Sequence, residues 1–247
     1  MSAAYPVRLA LFCLHIVAGL FTCTLVFPFC SQAARLRHIQ RWSARLLRIC
    51  GVAIELAALP AAAAGTLIVA NHISWLDIFV LNACQPCRFI AKSEVRRWPV
   101  LGYLAMRAGT VFIERGNRRA LGPLLLRVVG HIDGGSQIAY FPEGTSAPQG
   151  AMLPFHSALF EAARGAAIAV QPVALAYFNG EGEAHRSAEY VGATTFAQSV
   201  RLILSGPSMV ARVAYLAPIA PHGLRRRELA AAAEQAVTAA LARLGPS

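Results

Sequence analysis

The first fifty residues contain a long apolar stretch. Residues 9–34 include no Lys, Arg, Asp or Glu. A stretch of this length is typical of a segment that crosses a bilayer or bends into one leaflet, here around Pro28, so we expect a membrane anchor. A cleaved secretory signal is the alternative, because Ser31-Gln32-Ala33 resembles a small-x-small cleavage site. The stretch is long for a signal, however, and only Arg8 precedes it.

An amphipathic pattern follows the apolar stretch. Over residues 35–50, helical spacing separates arginines from apolar side chains. The arginine side comprises Arg37, Arg41, Arg45 and Arg48, and the apolar side comprises Ile39, Trp42, Leu46 and Ile49. Such a helix lies in the membrane interface, with its apolar side among acyl chains and its arginines at anionic headgroups on the cytoplasmic side. The alternative is an amphipathic helix that packs on the protein's own core.

Beyond residue 60, β-branched and aromatic runs alternate with helical patterns. The runs TLIVA, CRFIAK, TVFIER, SQIAYF, AIAVQPVALAY and MVARVAYL predict strands. The stretches WLDIFVLNA, PVLGYLAMRAG, RRALGPLLLRVVGHI, PFHSALFEAARG and TFAQSVRLIL predict helices, and residues 224–244 predict a closing helix. The fold class is therefore α/β, with a mixed, largely parallel sheet covered by helices. Residues 51–247 would form this domain, and residues 1–50 the membrane anchor with its interfacial helix.

Composition supports a globular domain attached to a membrane. Apolar residues make up 56% of the chain and charged residues 14%, with a mean hydropathy of +0.50. The net charge of +11 suits anionic lipid, an acidic carrier protein or nucleic acid. Interleaved aromatic and basic residues on a strand pair, which a nucleic-acid binder needs, are not seen. A non-catalytic basic membrane-associated binding protein remains the alternative to an enzyme.

The six cysteines do not form a disulfide pattern. Most lie in or near the apolar N-terminus, so they are expected to be small buried hydrophobes of a protein whose globular part is reduced and cytoplasmic. Cys84 and Cys87 have the spacing of half a zinc or redox site, but no second pair accompanies them. We therefore predict no metal.

The clearest candidate for chemistry is His72, which follows the predicted strand TLIVA and precedes Asp77 by five positions. One interpretation is structural: Ser74 caps the next helix and Asp77 completes a capping box. The other is catalytic, because the carboxyl ends of strands in open α/β sheets hold ligands. There Asp77 would accept the Nδ1 proton of His72, leaving Nε2 as a general base for a hydroxyl.

Two further strand ends carry polar residues. Arg115 ends TVFIER, where a guanidinium could bind phosphate or carboxylate, and Glu143, Gly144 and Thr145 follow the strand SQIAYF on a tight turn. Ser74 lacks the G-x-S-x-G context of a nucleophilic serine, so hydrolysis through Ser74 is a minor alternative. A base without a protein nucleophile favours transfer of a group onto an alcohol of the substrate.

Four stretches, NHISWLD, GTVFIER, FPEGTS and AVQPVAL, occur in this order between residues 65 and 177. Together they closely resemble the ordered blocks of the glycerolipid acyltransferase family, which includes the 1-acylglycerol-3-phosphate acyltransferases. The resemblance implies that His72 is the general base, that Asp77 orients it, and that Arg115 binds the acceptor headgroup. It also implies that Glu143 and Gly144, with Thr145 beside them, build the acceptor site. The block at residues 170–173 would line its hydrophobic side.

The resemblance also implies a donor, an acceptor and a location. The donor would be an acyl thioester of acyl carrier protein or coenzyme A, with no bound cofactor, and the acceptor a lysolipid hydroxyl at the cytoplasmic face of a bacterial-type inner membrane. An arginine commonly follows the FPEGT block in this family, but Ser146 stands here, and His156 occupies a later position where a lysine is expected. Fewer cations weaken the case for a phosphomonoester. The lyso-ornithine lipid branch, which some stretches resemble more, and the lysophosphatidate branch therefore both remain open.

Overall fold

The computed structural model describes residues 4–58, 65–114, 118–133 and 136–245. Within these residues seven strands form one sheet in the order β1-β7-β6-β2-β5-β3-β4. The strands are β1 Val52–Ala58, β2 Leu67–Ala70, β3 Arg88–Lys92, β4 Val111–Ile113, β5 Ile138–Tyr140, β6 Val170–Phe178 and β7 Met209–Tyr215. The predicted α/β class and the largely parallel sheet are confirmed.

Strand direction divides the sheet into two parts. β6, β2, β5, β3 and β4 pair in parallel, so their carboxyl ends share one edge. β7 is antiparallel to β6 and β1 is parallel to β7, so these two strands run the other way. The parallel strands are short continuous apolar runs, as expected for strands covered on both faces.

Eight helices are described, and they cover both faces of the sheet. They are α1 Tyr5–Phe21, α2 Gln32–Ile49, α3 Leu76–Cys84, α4 Leu101–Arg107, α5 Arg118–Asp133, α6 Phe160–Gly165, α7 Phe196–Ser205 and α8 Arg226–Leu244. One core lies between the sheet and α2, α3 and α7, and includes Leu46, Leu76 and Ile203. The other lies on the opposite face, where Val128, Phe160 and Val237 pack.

The N-terminal segment is a bent pair of helices. After α1, a π-helical turn at Thr22–Val26 and a 3-10 turn at Phe27–Phe29 reverse the chain into α2. The bend therefore falls at the predicted position, around Pro28. The region Tyr5–Phe29 is long and apolar enough to cross a membrane, and α1 exposes large apolar side chains such as Leu14 and Phe21.

The structure differs from the sequence-based description of α2. Its arginines at positions 37, 41, 45 and 48 are exposed, as predicted. Its apolar side, however, packs on α3 and the sheet, with Leu46 and Leu47 each 1% exposed. The prediction that this side inserts among acyl chains is therefore wrong, because the same amphipathic pattern suits burial against the protein's own core. Large apolar side chains stay exposed on α1 and on the turns that follow it.

Three element boundaries also differ from the expectations. Strand β1 was not predicted; it directly follows α2 through Gly51, whose φ of 75° allows the sharp turn. Helix α6 begins at Phe160, not near Pro154, because the preceding residues serve the site described below. Before α4, residues Ser93–Arg97 form a 3-10 turn, so the helix begins at Leu101.

Candidate active site

The site lies at the carboxyl edge of the parallel strands, immediately after β2. Asn71 directly follows this strand and is buried. Its side chain donates to the Leu175 carbonyl at 2.9 Å and accepts from the Leu175 N–H at 2.9 Å. This double hydrogen bond ties the turn that follows β2 to the neighbouring strand β6. His72 therefore starts from a fixed backbone position.

His72 and Asp77 are in direct contact, as the sequence predicted. His72 Nδ1 lies 2.8 Å from Asp77 Oδ2. The Asp77 side chain is 0% exposed, whereas 19% of the His72 side chain remains open. A carboxylate only accepts hydrogen bonds, so this contact places the imidazole hydrogen on Nδ1. Nε2 is then the unprotonated nitrogen, on a ring that borders an open cavity.

Asp77 is held by three further donors. The backbone N–H groups of Ile73 and Ser74 donate to Oδ2 at 2.7 and 2.9 Å. The hydroxyl of Tyr177, on β6, donates to Oδ1 at 2.7 Å. Burial of the Tyr177 hydroxyl, and after it the charge of Asp77, raise the pKa of Tyr177 well above its usual value. The phenol therefore stays protonated. The predicted capping box is not formed, because α3 has Trp75 at its N-cap and no side-chain cap. The Asp77 carboxylate instead accepts from the turn that precedes the helix and contacts the imidazole.

The imidazole plane is fixed by an aromatic neighbour. The ring of His72 stacks on Phe141, with centroids 4.0 Å apart and an interplanar angle of 9°. Phe141 in turn stacks on Phe89 at 5.9 Å. A π-face also favours a cation, so the stack suits an imidazole that gains a proton during a reaction. Neither Phe141 nor Tyr177 was predicted as part of the site; no spacing rule connects them to His72.

Glu143 has a different place from the one the resemblance implies. It is 4% exposed, and its two oxygens accept from the backbone N–H groups of His72 and Leu153, both at 2.7 Å. Burial raises the pKa of this carboxyl, although the two N–H donors oppose the shift. Glu143 thus connects the turn that follows β5 to the turn that carries His72. It is not among the residues that line the cavity described next. Gly144, with a φ of 75°, and Thr145 line the cavity itself.

A cavity of about 760 Å³ opens beside His72. Its polar wall includes Lys92, Glu114, Thr145, Ser146, His156 and Tyr190. Its apolar wall includes Trp75, Ile78, Phe89, Val95, Trp98 and Leu159. Arg115, the predicted headgroup ligand, lies outside the described residues. Ser146 and His156, where the family commonly has cations, both face this cavity.

A second, narrower cavity of about 200 Å³ adjoins the first. Trp75, Ile78, Phe89, Val95 and Trp98 line both cavities. The narrow one runs under the N-terminal helix pair, past Phe12, Gly19 and Trp42. The two cavities therefore share a wall, and the second one extends from that wall to the inner side of α1.

Two minor alternatives lose their structural basis. Ser74 is 0% exposed and its Oγ accepts from the Leu76 N–H at 3.3 Å, so it cannot act as an accessible nucleophile. Cys87 is buried, and burial raises the pKa of Cys84 to about 12, so neither has thiolate character. Among the described residues no group of metal ligands is found.

Residues 54–176 match the family model described as Acyltransferase, and this part of the chain belongs to that family. The match covers the strand-turn elements that carry His72, Asp77 and Glu143. Among curated relatives, a lyso-ornithine lipid O-acyltransferase of Pseudomonas aeruginosa is 39% identical over 175 residues, which cover 70% of this chain and 66% of that protein. A 1-acyl-sn-glycerol-3-phosphate acyltransferase of Neisseria gonorrhoeae is 44% identical over 119 residues, 48% of this chain and 47% of that one.

A solved structure supports the fold. The 1-acyl-sn-glycerophosphate acyltransferase from Thermotoga maritima superposes with a TM-score of 0.62 at 20% identity, covering 96% of this chain and 97% of that one. The similarity therefore includes the N-terminal helix pair as well as the sheet. The curated relatives are matched over two thirds of their length or less, with 66% and 47% in the two cases above.

Proposed function

We propose that this protein is a membrane-bound acyltransferase that moves an acyl chain from a thioester to the hydroxyl of a lysolipid. The observation that carries the proposal is the His72–Asp77 contact, which lies beside a cavity that shares an apolar wall with a second, apolar cavity. A base beside two such cavities suits a substrate that brings both a hydroxyl and a long apolar chain. The family match and the names of the curated relatives support the same chemistry.

In the proposed reaction His72 first accepts a proton and later donates it. Nε2 removes the proton from the acceptor hydroxyl while its oxygen attacks the thioester carbonyl, and the imidazolium that forms is stabilised by Asp77. The tetrahedral intermediate then collapses, the carbon–sulfur bond breaks, and His72 returns the proton to the thiolate. No acyl-enzyme is formed, consistent with the burial of Ser74.

The narrow apolar cavity is our candidate for the acyl chain of the donor. Its walls are largely aromatic and aliphatic, and it shares six lining residues, Ala91 among them, with the cavity beside His72. A thioester carbonyl at His72 could therefore have its chain in the narrow cavity beneath α1. The donor itself is proposed to be acyl carrier protein or coenzyme A loaded with a fatty acid. The net charge of +11 favours either anionic carrier.

For the acceptor we favour a lysolipid with an amino-acid headgroup, such as lyso-ornithine lipid. Among the described lining residues, Lys92 and Glu114 carry opposite full charges, which suits a zwitterionic headgroup. Ser146 carries no charge, and its hydroxyl donates to the Tyr190 carbonyl. Lysophosphatidate is the second candidate, supported by the predicted role of Arg115 and by the Neisseria relative.

We further propose that α1 attaches the protein to the cytoplasmic membrane, with the active site on the cytoplasmic face. The outer side of α1 exposes Leu14 at 65%, Val17 at 61% and Phe21 at 62%, and Phe29 follows at 90%. Water alone would not favour such a surface, which bilayer hydrocarbon would cover. Because the narrow cavity runs beneath α1, lipid substrates could enter without leaving the membrane.

One competition assay tests the function and the acceptor together. The full chain, purified in detergent, is given acyl carrier protein loaded with one fatty acid and equal amounts of lyso-ornithine lipid and lysophosphatidate. We expect ornithine lipid as the main product. Phosphatidate as the main product would overturn the acceptor proposal, and no acyl transfer to either acceptor, with coenzyme A thioester also tried, would overturn the proposed function.

A further inference from the structure

The opposite edge of the sheet carries two arginines at the amino ends of the strands. Arg88 is the first residue of β3, and Arg35 lies one turn inside α2, whose first turn reaches the same edge. The contact between Gln32 Nε2 and Ser136 Oγ, at 2.7 Å, fixes this end of α2 beside the start of β5. Since Gln32 and Arg35 share one side of the helix, Arg35 faces the sheet edge.

Both guanidinium groups lack a partner in the described part of the chain. The Nε atoms of Arg35 and Arg88 are buried and bonded to no acceptor. Neither arginine belongs to any of the ion pairs formed among the described residues. The pKa of Arg88 is lowered, first by burial and then by the charge of Arg35. Two like charges are thus near one another and partly out of water, and no ion pair among the described residues joins either of them to a carboxylate.

Two further basic side chains lie near the pair. His131 has its pKa lowered by burial and by the charges of Arg88 and Arg127, so both arginines lie within electrostatic reach of it. The Arg88 guanidinium also lies close against Gly109, where an added Cβ would crowd it. Arg88 therefore has little room on that side.

A buried donor without an acceptor costs free energy, and so do two adjacent cations. An anion placed between them would remove both costs at once, and phosphate matches the fork of a guanidinium. We propose that Arg35 and Arg88 form a binding site for a phosphate group, with His131 and Arg127 as neighbours, at the sheet edge opposite His72. The site does not depend on the acyl-transfer proposal.

The headgroup of an anionic phospholipid is the source that the structure favours. Phe29, 90% exposed, ends the apolar segment about six residues before Arg35. Cys30 and Ser31 are extended and α2 begins at Gln32, so with about 3.4 Å per extended residue and about 1.5 Å per helical residue the backbone of Arg35 lies at most about 15 Å from that of Phe29. With Phe29 in the hydrocarbon, the arginine pair would lie at the level of lipid phosphates. Free phosphate carries the same chemistry, and the experiment separates the two sources.

The test measures thermal unfolding of the full chain in a neutral detergent, followed by tryptophan fluorescence. The additions are inorganic phosphate, dihexanoyl phosphatidylglycerol, dihexanoyl phosphatidylcholine, and sodium chloride at matched ionic strength. We expect phosphatidylglycerol at about tenfold its Kd to raise the Tm by about 4 °C, with little effect of phosphatidylcholine or salt. A similar rise with inorganic phosphate would show that the phosphate group alone suffices, and a rise with the lipid only would assign the site to headgroups.

The variant Arg35→Gln/Arg88→Gln should lose this response, whereas Arg37→Gln/Arg41→Gln should keep it. Both variants remove two positive charges from the same region, but Arg37 and Arg41 are exposed. Equal loss in the two variants would overturn the proposal, because diffuse surface charge would then explain the binding. No anion response in the wild-type protein would also overturn it.

Stability without added anion provides a second, independent readout. Removing two repelling, unpaired cations should leave the Tm of Arg35→Gln/Arg88→Gln equal to the wild-type value or higher. A variant that melts well below the wild type, or does not fold, would show that the arginines serve the fold. That result would overturn the proposal as well.

Discussion

The two edges of the parallel strands differ in how their polar groups are satisfied. At the carboxyl edge, Asp77 accepts four hydrogen bonds and Glu143 two. At the amino edge, Arg35 and Arg88 have buried Nε atoms without an acceptor among the described residues. The two carboxylates of the first edge have their donors within the protein, whereas the second edge is arranged as if a negatively charged group were to join it.

This difference separates two kinds of site. A catalytic base must be oriented before the substrate arrives, so its partners belong to the protein and are held by the fold. A binding site for an anion needs its donors free, and the fold then bears a small cost that the ligand removes. Substitutions at the carboxyl edge should therefore impair turnover or stability. The arginine substitutions proposed for the amino edge should instead leave the Tm without added anion unchanged or higher.

The largest effect is expected for His72→Ala. Loss of the base should lower kcat by about a thousandfold, within the usual range for general-base catalysis, and should leave the acceptor KM nearly unchanged. The measurement is steady-state acyl transfer by the purified full chain. His222→Ala, an exposed histidine far from Asp77, is the control and should retain wild-type activity. Substantial activity of His72→Ala would refute the assignment of the base.

A smaller but still large loss is expected for Asp77→Asn. The amide has one acceptor oxygen for four donors, so His72 loses its fixed tautomer and one or more N–H groups lose their partner. We expect kcat to fall by about a hundredfold and the Tm to fall as well. Kinetics and thermal unfolding of the same preparation measure both effects. A variant with lowered Tm but normal kcat would confine Asp77 to a structural role.

Tyr177→Phe should have an intermediate effect. It removes one hydroxyl from the carboxylate that orients His72, which should lower kcat roughly tenfold and cost about 1–3 kcal/mol of unfolding free energy. The matched control is Tyr215→Phe, because Tyr215 is also a buried tyrosine on a strand of this sheet but its hydroxyl has no partner among the described residues. The control should lose neither activity nor stability. Equal losses in the two variants would argue against a role of Tyr177 through Asp77.

The smallest effect is expected for Glu143→Gln, and it depends on pH. Because the pKa of Glu143 is raised in the folded protein, the unfolded chain releases this proton at a lower pH. Wild-type stability should therefore fall as the pH rises from the usual glutamate pKa through the raised value. The variant has no carboxyl at position 143 and should not show this fall in stability. The Tm of the variant minus the Tm of the wild type should therefore increase across that pH window. A difference in Tm that is constant with pH would contradict the assignment.

Much of the fold follows from local pattern. Continuous apolar runs predicted six of the seven described strands, and the contact between His72 and Asp77 was expected from their spacing after a strand. Both depend on neighbours in sequence, which periodicity can reveal. The chemical role of the pair and of the predicted substrate ligands stays a prediction.

What the sequence did not reveal depends on distant neighbours. Tyr177 reaches Asp77 across 100 positions, and Phe141 stacks on His72 from the turn after β5. The burial of α2 against α3 was missed for a related reason, since an amphipathic helix looks the same whether its partner is lipid or protein. Glu143 was expected in the acceptor site, but the sequence cannot show that two backbone N–H groups already occupy its carboxylate.

The hydrogen bonds between Asn71 and Leu175 span 104 positions. While the chain is being made on the ribosome, the turn bearing His72 emerges long before β6 exists. Asn71 and Asp77 must therefore wait for residues 175 and 177, and until then the turn lacks the hydrogen bonds that tie it to β6. A growing chain that lacks β6 would already contain both His72 and Asp77, but not the residues that hold them in place from that strand.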